Sequence, residues 1–382
     1  MFDALQKAFK YELESITHNW YKLLLVSFLP LFVFWFIIST FQHGVLRDLP
    51  LAVVDHDHSK LSALLLRNIE ASATIKIVSM PTNTKEAIRL IKTNKVYGIL
   101  IIPPHFEKDI FLQKKPQVTA MLNTQYILIG KILTSALNTV TTQSAAKIEF
   151  VKHLYESQDV HETLSSVAPV GIQITPFFNT YQNYYYFLVS ALLPAIWQIF
   201  IVITTLVSIG TLFKSKQIFT IFDGSQNIAS TLIGLVLPYT FIFTLMGVGF
   251  VFYLFSHWTF QGSLSIVIFG IFLTTVAYQV VALFLFSMVF DYARSLSLGA
   301  VYTAPAFAFL GITFPMYNMN GFAQLWRDIL PISHYLQLQI SQANYGTNIW
   351  HEFSILGMLL SFCLLFIPVL WRFKYKLRGM NA

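Results

Sequence analysis

Charge is what this chain lacks most: Asp, Glu, Lys and Arg together make up 11% of its 382 residues, where an ordinary soluble domain carries about 25%. Hydrophobic residues make up 55%, with 36 Phe, more apolar surface than a soluble fold can hide. Cysteine occurs once, at Cys363, which excludes a disulfide framework and any Cys pair with metal-ligand spacing. No Gly-x-x-x-x-Gly-Lys-Ser/Thr phosphate loop is present, since the one Gly-Lys pair, Gly130-Lys131, runs into Ile132. Gly-x-Ser-x-Gly, His-Glu-x-x-His and dinucleotide fingerprints are missing too. These absences leave an enzyme reading without support, and no cofactor is expected in this chain. A formal charge of +7 without a dense basic patch interleaved with aromatics argues against a nucleic-acid partner.

The hydrophobicity is gathered into runs. Leu23 to Phe41 holds no charge and as a helix reaches roughly 28 Å, enough to cross about 30 Å of hydrocarbon. Further runs are Tyr184 to Phe213, Ala229 to Phe255, Ser263 to Phe290, Ser295 to Phe314 and Phe353 to Leu370. The expected fold is an α-helical polytopic membrane protein with six transmembrane helices, the first separated from the other five by a long insert. Basic flanks stay in the cytoplasm. With the N-terminus inside, Lys7, Lys10, Lys22, Lys214, Lys216, Arg294, Arg372, Lys374, Lys376 and Arg378 fall on the cytoplasmic side and Arg327 in an outer loop. Both termini are then cytoplasmic, and the segment 42–183 is periplasmic in a bacterial inner membrane. Residues 372–382 read as a basic cytoplasmic tail. In residues 1–22, Phe2, Leu5, Phe9, Leu13, Ile16 and Trp20 recur at helical spacing, the pattern of an amphipathic helix lying in the membrane interface.

The insert alternates short apolar runs with helical patterns. LAVV at 51–54, a helix near 59–71, TIKIVS at 74–79, a helix near 84–94 and VYGILII at 96–102 follow βαβ logic. A fourth strand at Val118, Ala120 and Leu122 precedes a long helix from about Tyr126 to Leu164, so an α/β domain with a mixed sheet is expected. Asn83, with Glu86 three residues on, resembles a capping box. Within Asp55-His56-Asp57-His58, consecutive side chains point apart, which disfavours a metal site and leaves Asp57 or Ser59 to cap the next helix.

The spans hold no Asp, Glu, Lys, Arg or His, against ion-coupled transport. Gln198 and Gln279 are the candidate polar residues of a translocation path, although such groups more often bond helix to helix. Between the last two spans, residues 315–352 are too apolar for a free loop and are expected to dip back into the outer leaflet as short helices. Asp328, His334, His351 and Glu352, beside Arg327, Trp326 and Trp350, read there as interfacial anchors.

One interfacial helix, one span, a large outer α/β domain and five more spans is an order that resembles the type-2 ABC exporter permeases, in the drug-efflux branch with a large periplasmic domain. The resemblance covers essentially the whole chain and is carried by PLAVVDHDHSKLS and VYGILIIPPHFEKDI. It implies a permease subunit that exports an amphipathic compound, drug or lipid, as a dimer with a second copy or a paralogue. It also implies a separate ABC ATPase subunit as partner, with a periplasmic adaptor and outer-membrane channel as further candidates. The loop that would couple to the ATPase is 214–223, with Lys214, Lys216, Ile218, Phe219, Phe222 and Asp223 as its candidate residues. Its apolar side chains, Ile221 among them, would need a partner groove or the membrane interface to cover them. The loop carries Gly210-Thr211 upstream but lacks the family's Glu residues and Thr-Pro pair. The same topology also allows a membrane receptor or scaffold that displays the outer domain.

Overall fold

Runs without charge fold as helices here because a helix satisfies its own backbone groups wherever the solvent offers no hydrogen bonds. The computed structural model describes residues 2–42, 44–112, 114–157, 178–179, 183–215, 217–222, 227–256, 258–312 and 314–381. The chain divides into two compact units, Met1–Gly44 with Phe177–Ala382, and Val45–Pro176.

The first unit opens with three consecutive helices: α1 (Phe2–His18), α2 (Trp20–Val26) and α3 (Phe28–Phe41). The breaks fall at Asn19, whose side chain donates to the Ser15 carbonyl at 2.8 Å, and at Ser27, whose hydroxyl donates to the Leu23 carbonyl at 2.6 Å. Such bonds compete with the helix for its carbonyls. Next come α8 (Tyr184–Lys214), α9 (Ile218–Phe222), α10 (Ile228–Phe255) and α11 (Leu264–Val289), and the unit ends in α16 (Ile349–Ser361) and α17 (Phe366–Asn381), joined by one turn of 3₁₀ helix. Among the described residues, five helical stretches are long and apolar enough to cross a membrane: Trp20–Phe41, Tyr184–Lys214, Ile228–Phe255, Leu264–Val289 and Ile349–Met380. In α8 and α11, 61% and 72% of the most apolar window is buried, against 22% and 17% in the first and last stretches. The central pair therefore forms the core, while Trp35, Phe36, Leu364 and Trp371 lie exposed on the outer helices. Only an apolar surface such as lipid can cover such faces.

The expected span Ser295–Phe314 is not a continuous helix. Its residues form α12 (Tyr292–Thr303) and the four-residue α13 (Ala306–Phe309), separated by a turn at Ala304 and Pro305. Proline has no N–H to continue the ladder, and Gly311, at φ +82, turns the chain again. Beyond it, α14 (Gly321–Asp328) and α15 (Pro331–Ile340) lead into one turn of π-helix at Ser341–Tyr345. The segment read as a basic tail is continuous with the helix before it. Residues 372–381 are the last turns of α17, with Phe373 fully buried and Arg372 donating to the carbonyls of Ser287 and Met288 at the end of α11. An arginine at a helix C-terminus satisfies carbonyls that the helix leaves open.

The second unit holds β1 (Leu49–Asp55), α4 (Lys60–Glu70), β2 (Ile75–Ser79), α5 (Thr84–Lys92), β3 (Gly98–Ile102), α6 (Phe106–Phe111), β4 (Thr119–Leu122) and α7 (Ile127–Ser157). The sheet runs β2-β1-β3-β4, with β1 parallel to both neighbours and β4 antiparallel to β3. Leu51 and Val53 pack with α4, α6 and α7 on one face, and Val54 packs with Ala87 of α5 on the other. The unbroken LAVV run reflects this burial on both faces. Ser59 and Asn83 cap α4 and α5, accepting from Ser62 N at 3.1 Å and Glu86 N at 2.8 Å. The expected extension of α7 to Leu164 runs into residues outside the described set.

Asp57 does not cap α4; its carboxylate accepts from the backbone N–H of Glu107 at 3.0 Å, in the first turn of α6. Burial pushes this carboxyl up, but hydrogen bonds from Ser59, Glu107 and Phe106 outweigh it and hold the group below its ordinary value. A carboxylate lowered in the folded state contributes stability that is present above its unfolded pKa of about 4 and is lost as pH falls through the folded value. Protection of the Phe106 and Glu107 amides, taken relative to the intrinsic exchange rate at each pH, should therefore fall below about pH 4. Asp57→Asn should remove that pH dependence, and an unchanged profile would break the assignment.

Candidate coupling and translocation residues

The N-terminal helix sits on α10, and Phe2, Leu13 and Trp20 of the apolar face expected at the membrane interface are left outside that contact. Ala8, Glu12 and Ile16 are buried, whereas Phe2 and Trp20 are 74% and 76% exposed. The reason lies on α10, where a Cβ placed on Gly234 would stand 2.5 Å from the Leu5 carbonyl oxygen and 2.9 Å from the Ala8 Cβ. Glycine there lets the two backbones close together, and the small Ala8 is what fits.

Glu12 enters this interface with Oε1 paired twice, while its buried Oε2 has no partner among the described residues. Lys22 Nζ lies 2.6 Å from Glu12 Oε1, and the Tyr239 hydroxyl of α10 donates to the same oxygen at 2.5 Å. Lys22, itself 2% exposed, also donates to Ser15 Oγ at 2.8 Å. Sequence reasoning missed this cluster by counting Lys22 as a flanking charge. A legible signal was the Ala8-Glu12-Ile16 strip at helical spacing, which places a carboxylate among small and apolar residues.

The loop 214–223 packs on this assembly. Lys214 Nζ lies 5.8 Å from the Tyr292 ring centroid, and Tyr11 of α1 donates to Gln217 Oε1. Lys216 and Asp223 fall outside the described residues. Ile218, Ile221 and Phe222 of α9 are buried in the core of their own unit, leaving Phe219 at 41% exposure as the apolar side chain facing outward. The apolar patch expected from the sequence is thus largely covered by the chain itself. The Phe222 ring stacks on Phe373 at 6.4 Å, and Phe373 in turn touches Phe213, Phe286 and Phe290.

Gln198 and Gln279 both lie inside the bundle, and both spend their polar atoms on other helices. Tyr278 of α11 donates to Gln198 Oε1, while Gln198 Nε2 reaches the Thr303 carbonyl at 3.5 Å. The Tyr278 hydroxyl also accepts from Ile332 N at 3.1 Å, so four helices meet at one network. Gln279 Oε1 accepts from Thr240 at 2.8 Å, and its Nε2 donates to the Val236 carbonyl at 3.2 Å. Both therefore make interhelical bonds, and Gln279 also borders an apolar groove of about 320 Å³.

These side chains bond helix to helix. Among the described residues, no group of three or more His, Cys, Asp or Glu is placed to hold a metal. Among curated proteins, nothing matches the chain. The family model of the ABC-2 family transporter proteins matches residues 21–372, nearly the whole length of this apolar helical chain, and on that match the chain belongs to the ABC-2 transporter family, as a membrane permease component of an ABC transporter.

Proposed function

We propose that this permease moves an amphipathic compound outward across the bacterial inner membrane, driven by a separate ABC ATPase subunit and working as a dimer with a second copy or a paralogue. The excess of Lys and Arg at one set of span ends supports cytoplasmic termini and a periplasmic second unit. In this orientation the broken helices α12 and α13 complete a sixth crossing, and α14 and α15 line the outer leaflet. In this reading a periplasmic adaptor and an outer-membrane channel extend the route.

The observation that carries the coupling assignment is the joint packing of α1, α9 and α10. The Tyr11–Gln217 bond, the Ala8–Gly234 contact and the Phe222–Phe373 stack make one rigid surface of the N-terminus and the loop, from which Phe219 projects. A push on Phe219 is then transmitted to α10 and α17 together. Burial of one Phe against a partner is worth about 1.5–3 kcal/mol before ordering costs, so Phe219→Ser should weaken ATPase co-purification about tenfold or more. Thermal stability should stay within about 0.5 kcal/mol, because the side chain is already exposed. Normal ATPase capture and normal transport by Phe219→Ser would move the interface elsewhere on the chain.

A further inference from the structure

The sheet of the second unit ends in two edge strands, β2 and β4, and the chain treats the two edges differently. On β2, Lys76 stands exposed at mid-strand, and the register with β1 slips between Leu51 and Ala52 so that Val78 is passed over. A charge and a bulge are the means by which an edge strand is kept from pairing with another chain. The β4 edge has neither. Residues 117–129 (QVTAMLNTQYILI) contain no charge, proline or glycine, and β4 keeps an unbroken register with β3 from Thr119, opposite Ile101, to Leu122, opposite Gly98.

This unguarded edge is also uncovered. Thr119, Ala120 and Met121 are exposed, and among the described residues the backbone of β4 is hydrogen-bonded to β3 alone. Large apolar side chains flank it at both ends: Phe111 and Leu112, on the chain entering the strand, are 66% and 56% exposed, and Tyr126 and Ile127, on the chain leaving it, are 45% and 69% exposed. Such a surface is suited to a partner that adds a strand. The residues fit a second copy of the same strand. Two copies related by a two-fold axis pair antiparallel, so the entering end of one lies beside the leaving end of the other. Lys114 and Lys115 then approach the uncharged Gln125 and Tyr126 of the second copy and stay clear of each other. The residue on the axis meets its own copy, and Ala120 is the smallest side chain of the strand. Thr119 then stands opposite Met121, with no like charges facing across the junction.

We propose that β4 is the edge by which the second units of two permease copies join, pairing antiparallel about Ala120 so that their two sheets become one. The proposal rests on the reading of the permease as a dimer and deepens it by naming the strand that makes the outer contact. Oligomeric mass and strand contact are measured separately, so failure of one is distinguishable from failure of the other.

Cys363 is the one cysteine of the chain, so the full chain carrying Cys363→Ala accepts single reporter cysteines. Directly opposed residues of an antiparallel pair have Cα atoms about 4.5–5.5 Å apart, within the span of a disulfide. Ala120→Cys, in isolated membranes treated with copper phenanthroline, should therefore crosslink to a covalent dimer. Gln117→Cys lies three residues off the axis, about 20 Å from its own copy, and Lys76→Cys lies on the other edge; both should crosslink about tenfold or more slower. Adding Thr119→Lys and Met121→Lys to the Ala120→Cys chain sets ammonium groups directly opposite each other on both sides of the axis, which should slow its crosslinking about tenfold. Both positions are already exposed, so the sheet keeps its fold. Native mass of the Cys363→Ala chain in nanodiscs gives the oligomer independently. A dimer by mass that does not crosslink at Ala120→Cys, crosslinks equally at all three positions, or is indifferent to the paired lysines overturns the edge assignment and leaves the dimer reading standing. A monomer by mass overturns both.

Discussion

Glu12→Ala is expected to cost about 3–5 kcal/mol of folding stability, the range found when one partner of a buried ion pair is removed. Lys22 is 2% exposed and Glu12 fully buried, so the variant leaves an ammonium without its carboxylate and the Tyr239 hydroxyl without its acceptor. Charge loss on both sides is far milder, because a buried pair roughly balances its own desolvation. The double variant Glu12→Ala with Lys22→Met should therefore recover most of the loss, which is non-additivity of the kind found for contacting residues. Denaturant unfolding of the purified chain in micelles, followed by tryptophan fluorescence, reads both numbers. A single-variant cost below about 1 kcal/mol, the range of an exposed pair, would show that the pair is hydrated.

Phe373→Ala should be comparably damaging, at about 3–5 kcal/mol for a fully buried phenylalanine. Its ring lies 5.2 Å from Phe290, 5.9 Å from Phe213, 6.2 Å from Phe286 and 6.4 Å from Phe222. Removal opens a cavity shared by α8, α9, α11 and α17, and takes from the five-residue α9 the ring on which Phe222 stacks, leaving Ile218 and Ile221 as its buried anchors. Beyond the stability loss, exchange of the α9 amides should rise by more than that of α10. Phe219→Ser, one turn away on the exposed side of α9, is the internal control. Equal damage from Phe219→Ser and Phe373→Ala would contradict the burial pattern.

The helices of the bundle were legible because the property that marks them, a long stretch without charge, is local. So were the strands of the second unit, where LAVV and GILII are continuous apolar runs, the first followed and the second preceded by a helix with a capping side chain. What escaped depends on pairs far apart in the chain. The face by which α1 docks is chosen by Gly234, and the fate of Glu12 by Tyr239, and neither is visible from a helical wheel of residues 1–22. Pro305 was visible, yet the run around it was apolar enough to read as one span. Of the candidate site residues, Gln198 and Gln279 are correctly polar positions inside the bundle, but their partners Tyr278, Thr240 and the Val236 carbonyl come from other helices. Glu352 read as an interfacial anchor because Ser341, Gln342 and Thr347 approach it only through a π-turn, which residue type does not announce.

The Glu12–Lys22 pair joins residues ten apart, whereas the Tyr239 bond to the same carboxylate joins residues 227 apart. At a ribosomal pace of roughly 5–20 residues per second, Tyr239 is made roughly 10–45 seconds after Glu12. During that interval the N-terminal hairpin has its charges matched but no Gly234 surface to rest on. Until α10 is made, Ala8, Glu12 and Ile16 are as uncovered as Phe2, Leu13 and Trp20 remain in the finished fold, so the N-terminal segment presents apolar side chains on every side and needs an apolar surface to cover them.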